Sequence, residues 1–151
     1  MKIAIGSDHA GYDLKEKVKK FLKARKYEVE DFGTNSNESV DYPDFAKRVS
    51  EAVLGGCDFG ILICGSGIGM SMAANKFPGI RAAFCMSPEL AKMSREHNNA
   101  NILTLGARFV DEGTAEKIVQ AFLKTKFTEE ERHMRRIKKM GMLESVFVAR
   151  K

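Results

Sequence analysis

Short runs of Ile, Val, Leu and Ala recur along this chain, and each is followed by a longer stretch with apolar residues three and four apart. "KIAIG" (2–6), "YEVEDFG" (27–33), "FGILIC" (59–64), "IRAAFC" (80–85) and "NILTLG" (101–106) have the length and content of strands. Between them, 12–26 sets Leu14, Val18, Phe21 and Leu22 on one helical face with lysines opposite. Asp41-Tyr-Pro opens a helix with an acidic cap and a proline in its first turn, running to about Leu54 before Gly55-Gly56. Further helices are predicted over 69–76, over 87–99 with Ser87 as cap and Pro88 first, over 111–125, and from about 129 to 140 behind Thr128. A βαβα alternation of this kind implies an α/β domain on a mostly parallel sheet covered on both faces. At 151 residues and 44% hydrophobic content, the chain is sized for one domain, 1–151, with a real core.

That architecture directs attention to the carboxyl ends of the strands, where open α/β sheets bind ligands. Asp8 and His9 follow the first strand, Cys64 and its glycines the third, and Arg108 the fifth. His97 and Asn98 fall at a helix end before the fifth strand, which does not by itself bring them to that edge. Cys57, Cys64 and Cys85 are odd in number and form no C-x-x-C pair, so a reducing, cytoplasmic setting is expected. No apolar stretch is long enough to span a membrane or act as a secretory signal. The net charge of +5 is concentrated in "RHMRRIKK" (132–139), which lacks the interleaved aromatics of a nucleic-acid surface.

The loop "CGSGIG" (64–69) and its surroundings exclude three familiar chemistries, two of them at the residue that follows it. A dinucleotide fingerprint needs glycine at residue 70, and a cysteine phosphatase needs arginine there; Met70 serves neither. A Walker loop needs Gly-Lys-Ser/Thr, which is absent from the sequence. Glycines between a strand and a helix leave several backbone N–H groups pointing one way, a nest for a phosphate or a developing oxyanion. Such a field also favours a thiolate over a thiol. The alternative is a tight turn with an inert cysteine, as expected for Cys57 and Cys85.

Asp8 beside His9 suits proton transfer or hydroxyl binding, and equally a helix cap. His97 is a side chain able to act as an acid near neutral pH, and Asn98 and Asn99 beside it are also helix terminators. Arg132 and Arg136 share a helical face, with Arg135 close by, and can converge on a phosphate or stand as a solvated basic surface.

Taken together and in order, "GSDHAGYDLK", "VDYPDFA", "CGSGIGMSMAANK", "PGIRAA", "SREHNNANIL", "LGAR" and "RHMRRI" resemble the ribose-5-phosphate isomerase type B family, over residues 1 to about 140. That family also includes galactose-6-phosphate and allose-6-phosphate isomerases. The resemblance implies a Rossmann-like three-layer αβα sandwich with a five-stranded parallel sheet, and no metal or organic cofactor. It implies a homodimer or homotetramer with each site shared between subunits, the helix at about 129–140 contacting the partner. The implied chemistry interconverts an aldose and a ketose phosphate, here ribose and ribulose 5-phosphate, through an enediolate. Cys64 matches the base and His97 the acid that opens the sugar ring. Gly65, Ser66, Gly67, Ile68 and Gly69 match the anion hole; Asp8, His9 and Asn98 match substrate contacts; Arg108, Arg132 and Arg136 match the phosphate end. Some relatives carry a glutamate base where this chain has Met70, and Ser66 stands where threonine is commoner. Glu130 and Glu131 replace a usual Gly-Gly before Arg132, which bears on the sugar preferred. A six-carbon sugar phosphate is the alternative substrate, and a non-catalytic sugar-phosphate or nucleic-acid binding module the alternative class.

Overall fold

β1 (Lys2–Ser7) and β3 (Phe59–Cys64) alternate their side chains between two separate cores. Ile3, Ile5, Ile61 and Ile63 face one core, joined by Leu103 and Leu105 of β5 (Ile102–Gly106). Ala4, Leu62 and Cys64 face the other. Strands buried on both faces are the mark of a parallel sheet with helices on each side. A computed structural model describing residues 1–148 shows that arrangement: β2 (Glu28–Asp31) and β4 (Ala82–Phe84) complete a sheet of order β2-β1-β3-β5-β4, parallel throughout. α1 (Tyr12–Ala24), α4 (Pro88–Asn98) and α5 (Glu112–Lys124) cover the first core, and α2 (Tyr42–Leu54) and α3 (Ile68–Ala74) the second. The three-layer Rossmann-like sandwich expected from the sequence is the fold.

Local chemistry sets most element ends. Ser87 Oγ accepts the Leu90 N–H at 3.3 Å to cap α4, and Asp111 accepts the Thr114 N–H at 2.7 Å to cap α5. α4 stops at Asn99, left-handed at φ 46°. Asp41 holds the N-cap position of α2, but its carboxylate takes no capping bond. β4 is shorter than its apolar run: the Arg81 N–H donates to the Asn101 side chain at 2.8 Å instead of to a strand, while its carbonyl still accepts from Asn101 and Ile102. Its outward edge is occupied by a side chain: Asn75 donates to the Ala82 carbonyl at 2.9 Å and accepts the Ala82 N–H at 2.8 Å.

The last helix corrects the expectation of a segment at about 129–140 capped by Thr128. α6 spans Glu131–Val148. Thr128 does not cap it, because the first helical residue, Glu131, stands three positions on and Glu129 between them turns the chain left-handed at φ 56°; the Thr128 hydroxyl instead donates to the Glu96 carbonyl at 2.9 Å. The helix continues through most of the tail that carried no sequence assignment; residues 149–151 lie outside the described part. α6 is tied back to the body by Thr128 and by Glu144, which accepts the Gly79 N–H at 2.9 Å.

One buried charge was not anticipated. Lys15 on α1 is fully buried and donates to Asp31 at 2.6 and 2.8 Å and to Glu16 at 3.0 Å; Lys19 joins the same carboxylates. Burial alone would raise the Asp31 carboxyl, but Lys15, Lys19 and the Gly33 amide hold it below its ordinary value. Such a group stabilises the fold above its unfolded value of about 3.9 and loses that contribution as pH falls through the folded value. Lys15→Met is therefore expected to cost about 2–3 kcal/mol at pH 7 in urea denaturation, Lys19 and the Gly33 amide retaining part of the pairing. The gap between variant and wild type is expected to narrow as pH falls below the unfolded value and through the lower folded one, where Asp31 takes up a proton. A gap independent of pH would show that the ion pair is not its source.

Candidate active site

β2 lies on one side of β1 and β3 on the other, so the chain reverses direction across the sheet between β1 and β3. At such a switch the loops after the two strands separate and leave a crevice at their carboxyl ends. Asp8 and Cys64 stand there. The Asp8 N–H donates to the Ile63 carbonyl at 3.2 Å, extending the β1–β3 ladder by one bond, and the buried carboxylate accepts the Gly11 N–H at 3.0 Å. The helix-start role and the site position of Asp8 thus coincide. His9 Nδ1 accepts the Val40 N–H at 3.2 Å. A neutral ring held in this way carries its proton on Nε2, which becomes its donor.

Cys64 ends β3 in the core shared with Met70 and Phe45, and is 4% exposed. Its Sγ accepts the Gly67 N–H at 3.1 Å. Gly67 reaches that position with φ 80°, a conformation open to glycine and strained for other residues. α3 starts one residue earlier than expected and has only seven residues, so its dipole is small and its first-turn amides are the relevant donors. Ser66 Oγ accepts one of them, the Ile68 N–H, at 3.2 Å, while the Ile68 side chain is exposed.

Two neighbours press on this loop. The Arg108 guanidinium lies 3.0 Å from where a Cβ on Gly65 would stand, and the Tyr42 ring lies 2.7 Å from the equivalent point on Gly69. Both glycines are needed for close approach: Arg108 lies over the loop, and Tyr42 walls its side. Arg108 is anchored by its own N–H, which donates to the Gly65 carbonyl at 3.0 Å. Of the three arginines matched to the phosphate end, Arg108 alone lies against this loop among the contacts of the described residues.

The other cysteines differ in their surroundings. Burial pushes the Cys85 thiol up to about 11, with Ser94 working against it. Burial and then Glu30 raise Cys57, whose S–H donates to that carboxylate at 3.8 Å. Both remain thiols near neutral pH, as the sequence suggested. Cys64 alone among the three accepts a backbone N–H on its sulfur, within the described residues.

His97, Asn98, Arg132 and Arg136 form a second group. α4 runs against the strands, from the carboxyl end of β4 back to the amino end of β5, so its last turn lies at the opposite edge of the sheet from Cys64. β5 alone separates the two edges by roughly 13 Å at the usual rise of a strand. Arg95 fixes that last turn by donating to the Ala100 carbonyl at 2.6 Å and to Asn99 at 2.8 Å. His97 stacks on His133 of α6, with ring centroids 4.5 Å apart and planes 16° apart. Burial, and then the neighbouring Arg132 and His97, hold His133 below the usual histidine value. Arg132 is exposed and donates to Glu130 at 2.9 Å. A cavity of about 990 Å³ opens between α6 and residues 75–83, with Asn98 in its wall. One chain thus gathers Asp8, His9, residues 64–69 and Arg108 at one edge, and His97, Asn98, Arg132 and Arg136 at the other.

Tyr42 and His133 were not singled out from the sequence as site residues. Tyr42 stands in the quoted "VDYPDFA", where the proline drew attention as a helix start. His133 stands between two arginines on a helix that reads as solvated. No group of three or more His, Cys, Asp or Glu side chains among the described residues is disposed to hold a metal ion, and no described helix is long and apolar enough to cross a membrane.

The first group combines a sulfur that accepts an amide with a loop of backbone donors under a guanidinium, a setting for proton transfer next to a developing anion. The second offers an imidazole, an amide and two guanidiniums. Comparison with known proteins identifies the family. Ribose-5-phosphate isomerase B of Escherichia coli (strain K12) is 47% identical over 144 residues, spanning 95% of this chain and 96% of that protein. The structure of Clostridium thermocellum ribose-5-phosphate isomerase B superposes with a TM-score of 0.96 at 57% identity, covering 97% of this chain and 99% of that one. That of the Mycoplasma genitalium enzyme, solved with bound ribulose-5-phosphate, gives 0.90 at 44% identity, with 95% and 96% covered. A family described as Ribose/Galactose Isomerase matches residues 3–140, nearly the whole described chain, and to that family this protein belongs.

Proposed function

We propose that this isomerase interconverts ribose 5-phosphate and ribulose 5-phosphate, with Cys64 as the base and His97 as the acid that opens the furanose ring. The observation that carries it is the contact between Cys64 and the glycine loop: Sγ accepts the Gly67 N–H at 3.1 Å beside backbone donors and Arg108. A carbon acid next to a carbonyl is too weak for a thiolate unless the enediolate is stabilised as it forms. Each well-placed donor in a preorganised hole contributes about 3–4 kcal/mol to that. His97 donates a proton to the ring oxygen as the bond from C1 to that oxygen breaks, and the C1 hydroxyl gives up its proton to water to leave the aldehyde. The Cys64 thiolate takes the C2 proton while charge builds on the C1 oxygen. The thiol returns that proton to C1, and the C2 hydroxyl proton passes to the C1 oxygen, to give the ketose. Gly65 to Gly69 surround the enediolate oxygens; Asp8, His9 through Nε2, and Asn98 bind hydroxyls; Arg108, Arg132 and Arg136 bind the phosphate. The isomerisation moves hydrogen within the substrate and needs no electron acceptor, and His97 regains its proton from solvent.

His97 cannot reach Cys64 within one chain, because they stand at opposite edges of the sheet. The working site therefore takes His97, Asn98, Arg132 and Arg136 from a second copy, in a homodimer or a larger assembly.

Two measurements test these assignments. kcat/KM compared on ribose 5-phosphate, allose 6-phosphate and galactose 6-phosphate is expected to favour the five-carbon sugar. A preference for a six-carbon phosphate would move the substrate, and inactivity on all three would reject the isomerase reading. The role of His97 is isolated by ribulose 5-phosphate, which has no furanose form because its C5 oxygen is esterified. Deuterium exchange at its C1 in heavy water needs the base alone. His97→Ala is expected to lower conversion of ribose 5-phosphate about a hundredfold while exchange persists, the normal contribution of a positioned acid. Equal losses in the two assays would remove the ring-opening role.

A further inference from the structure

The geometry points to His133 as a positioning residue for His97: its ring is a fixed flat face that holds the ring-opening acid in one orientation. The inference rests on the assignment of His97 proposed above. His97 ends a helix and is itself only half-buried, so packing on its own element leaves its ring free to turn about the last side-chain torsion. The surface that limits it comes from α6. The two imidazoles are nearly parallel, 16° apart, with centroids 4.5 Å apart. The backing ring is 5% exposed, so it is fixed by its surroundings where the ring it supports is not.

Nothing else in the described structure accounts for a histidine at 133. Its Nε2 is buried without a hydrogen-bond partner; the nearest carboxylate, Glu130, lies at 3.8 Å, beyond bonding distance. A polar atom buried without a partner is unfavourable for folding, so the ring is retained at some cost to stability. The attachment of α6 does not depend on it either. Thr128 bonds the Glu96 carbonyl just before the helix, and Glu144 bonds the Gly79 amide near its far end. Between those tethers, the contact His133 makes is with the acid. Burial holds its ring below the usual histidine value, so the face it presents is uncharged near neutral pH, and a cation on His97 meets no second cation in the stack.

The test uses the full-length protein and two readings on each variant: conversion of ribose 5-phosphate, and deuterium exchange at C1 of ribulose 5-phosphate. His133→Ala is expected to lower conversion about ten- to a hundredfold, the scale of a misplaced catalytic group. Exchange, which uses Cys64 and not the ring-opening acid, is expected to stay near wild type. His133→Phe restores a flat face without a titrating atom and is expected to return the ratio of the two rates toward the wild-type value. A loss shared equally by conversion and exchange would show that His133 merely supports the fold or the assembly, and would overturn the inference. No loss in either assay with alanine would overturn it too. If His97→Ala itself leaves the ratio unchanged, the acid assignment fails and takes this inference with it. A changed ratio in His97→Ala with an unchanged one in His133→Ala rejects the positioning role alone.

Discussion

Replacing Cys64 with alanine is expected to lower kcat on ribose 5-phosphate by about 10²–10⁴-fold, the usual contribution of a positioned base. Deuterium exchange at C1 of ribulose 5-phosphate is expected to fall with it, because both measurements begin with the same proton. Serine at this position is expected to do no better, since a hydroxyl is a far weaker acid than a thiol and is almost never ionised near neutral pH. The variants are expected to fold: Cys64 is a small side chain at a strand end, and the Cys64 carbonyl still accepts the Ala107 N–H at 2.8 Å. Sugar phosphate is expected to bind with little change in Kd, because the arginines and the loop amides remain. The structure offers no nearby substitute, as Met70 is fully buried and apolar and Cys57 and Cys85 are held as thiols. Turnover close to wild type in Cys64→Ala would end the assignment of the base, whatever the substrate.

The second large effect is expected at Gly67. With φ 80° a side chain is strained there, and a Cβ would stand 2.8 Å from the Phe84 ring and 2.9 Å from the Leu105 carbonyl carbon. The first neighbour can turn aside; the second is backbone and cannot. Gly67→Ala is therefore expected to cost about 2–4 kcal/mol in stability, from left-handed strain and overpacking together. It is also expected to withdraw the Gly67 N–H from the Cys64 sulfur. Conversion and exchange should then fall in parallel even under conditions where the variant is fully folded, in contrast to the His97 and His133 variants. A folded Gly67→Ala protein with wild-type exchange would show that this hydrogen bond contributes nothing to the proton transfer.

The layers of the fold were legible because its strands are short, β-branched and bounded by polar turns, and because α1 and α5 repeat their apolar residues at helical spacing. The order of the strands was not, since nothing local in "NILTLG" says that it inserts between β3 and β4. The end of the chain was misjudged for a related reason. Thr128 has the chemistry of a cap, but its hydroxyl is drawn to the Glu96 carbonyl, thirty-two residues away in sequence. Within the candidate site, the sequence pointed to residues adjacent to one another: Asp8 with His9, and Cys64 with its glycines. Tyr42 and His133 were missed because what singles them out is a contact with a distant segment, Gly69 in one case and His97 in the other. The distance between Cys64 and His97 was foreseen in part, from the side of the sheet on which each element ends.

The bond pair between Asn75 and Ala82 has a consequence for how copies of this protein can meet. An unpaired strand edge offers backbone donors and acceptors to any passing chain, and proteins that leave one open tend to add strands and polymerise. Here the outward N–H and C=O of Ala82 are already taken by an amide side chain that imitates a neighbouring strand. At the far edge, β2 is only four residues long and carries Glu28, Glu30 and Asp31. The β4 margin is thus filled at Ala82 by mimicry, and the β2 margin is too short to offer a long row of free backbone groups. Growth of the sheet by addition of strands from other chains is thereby disfavoured at both ends.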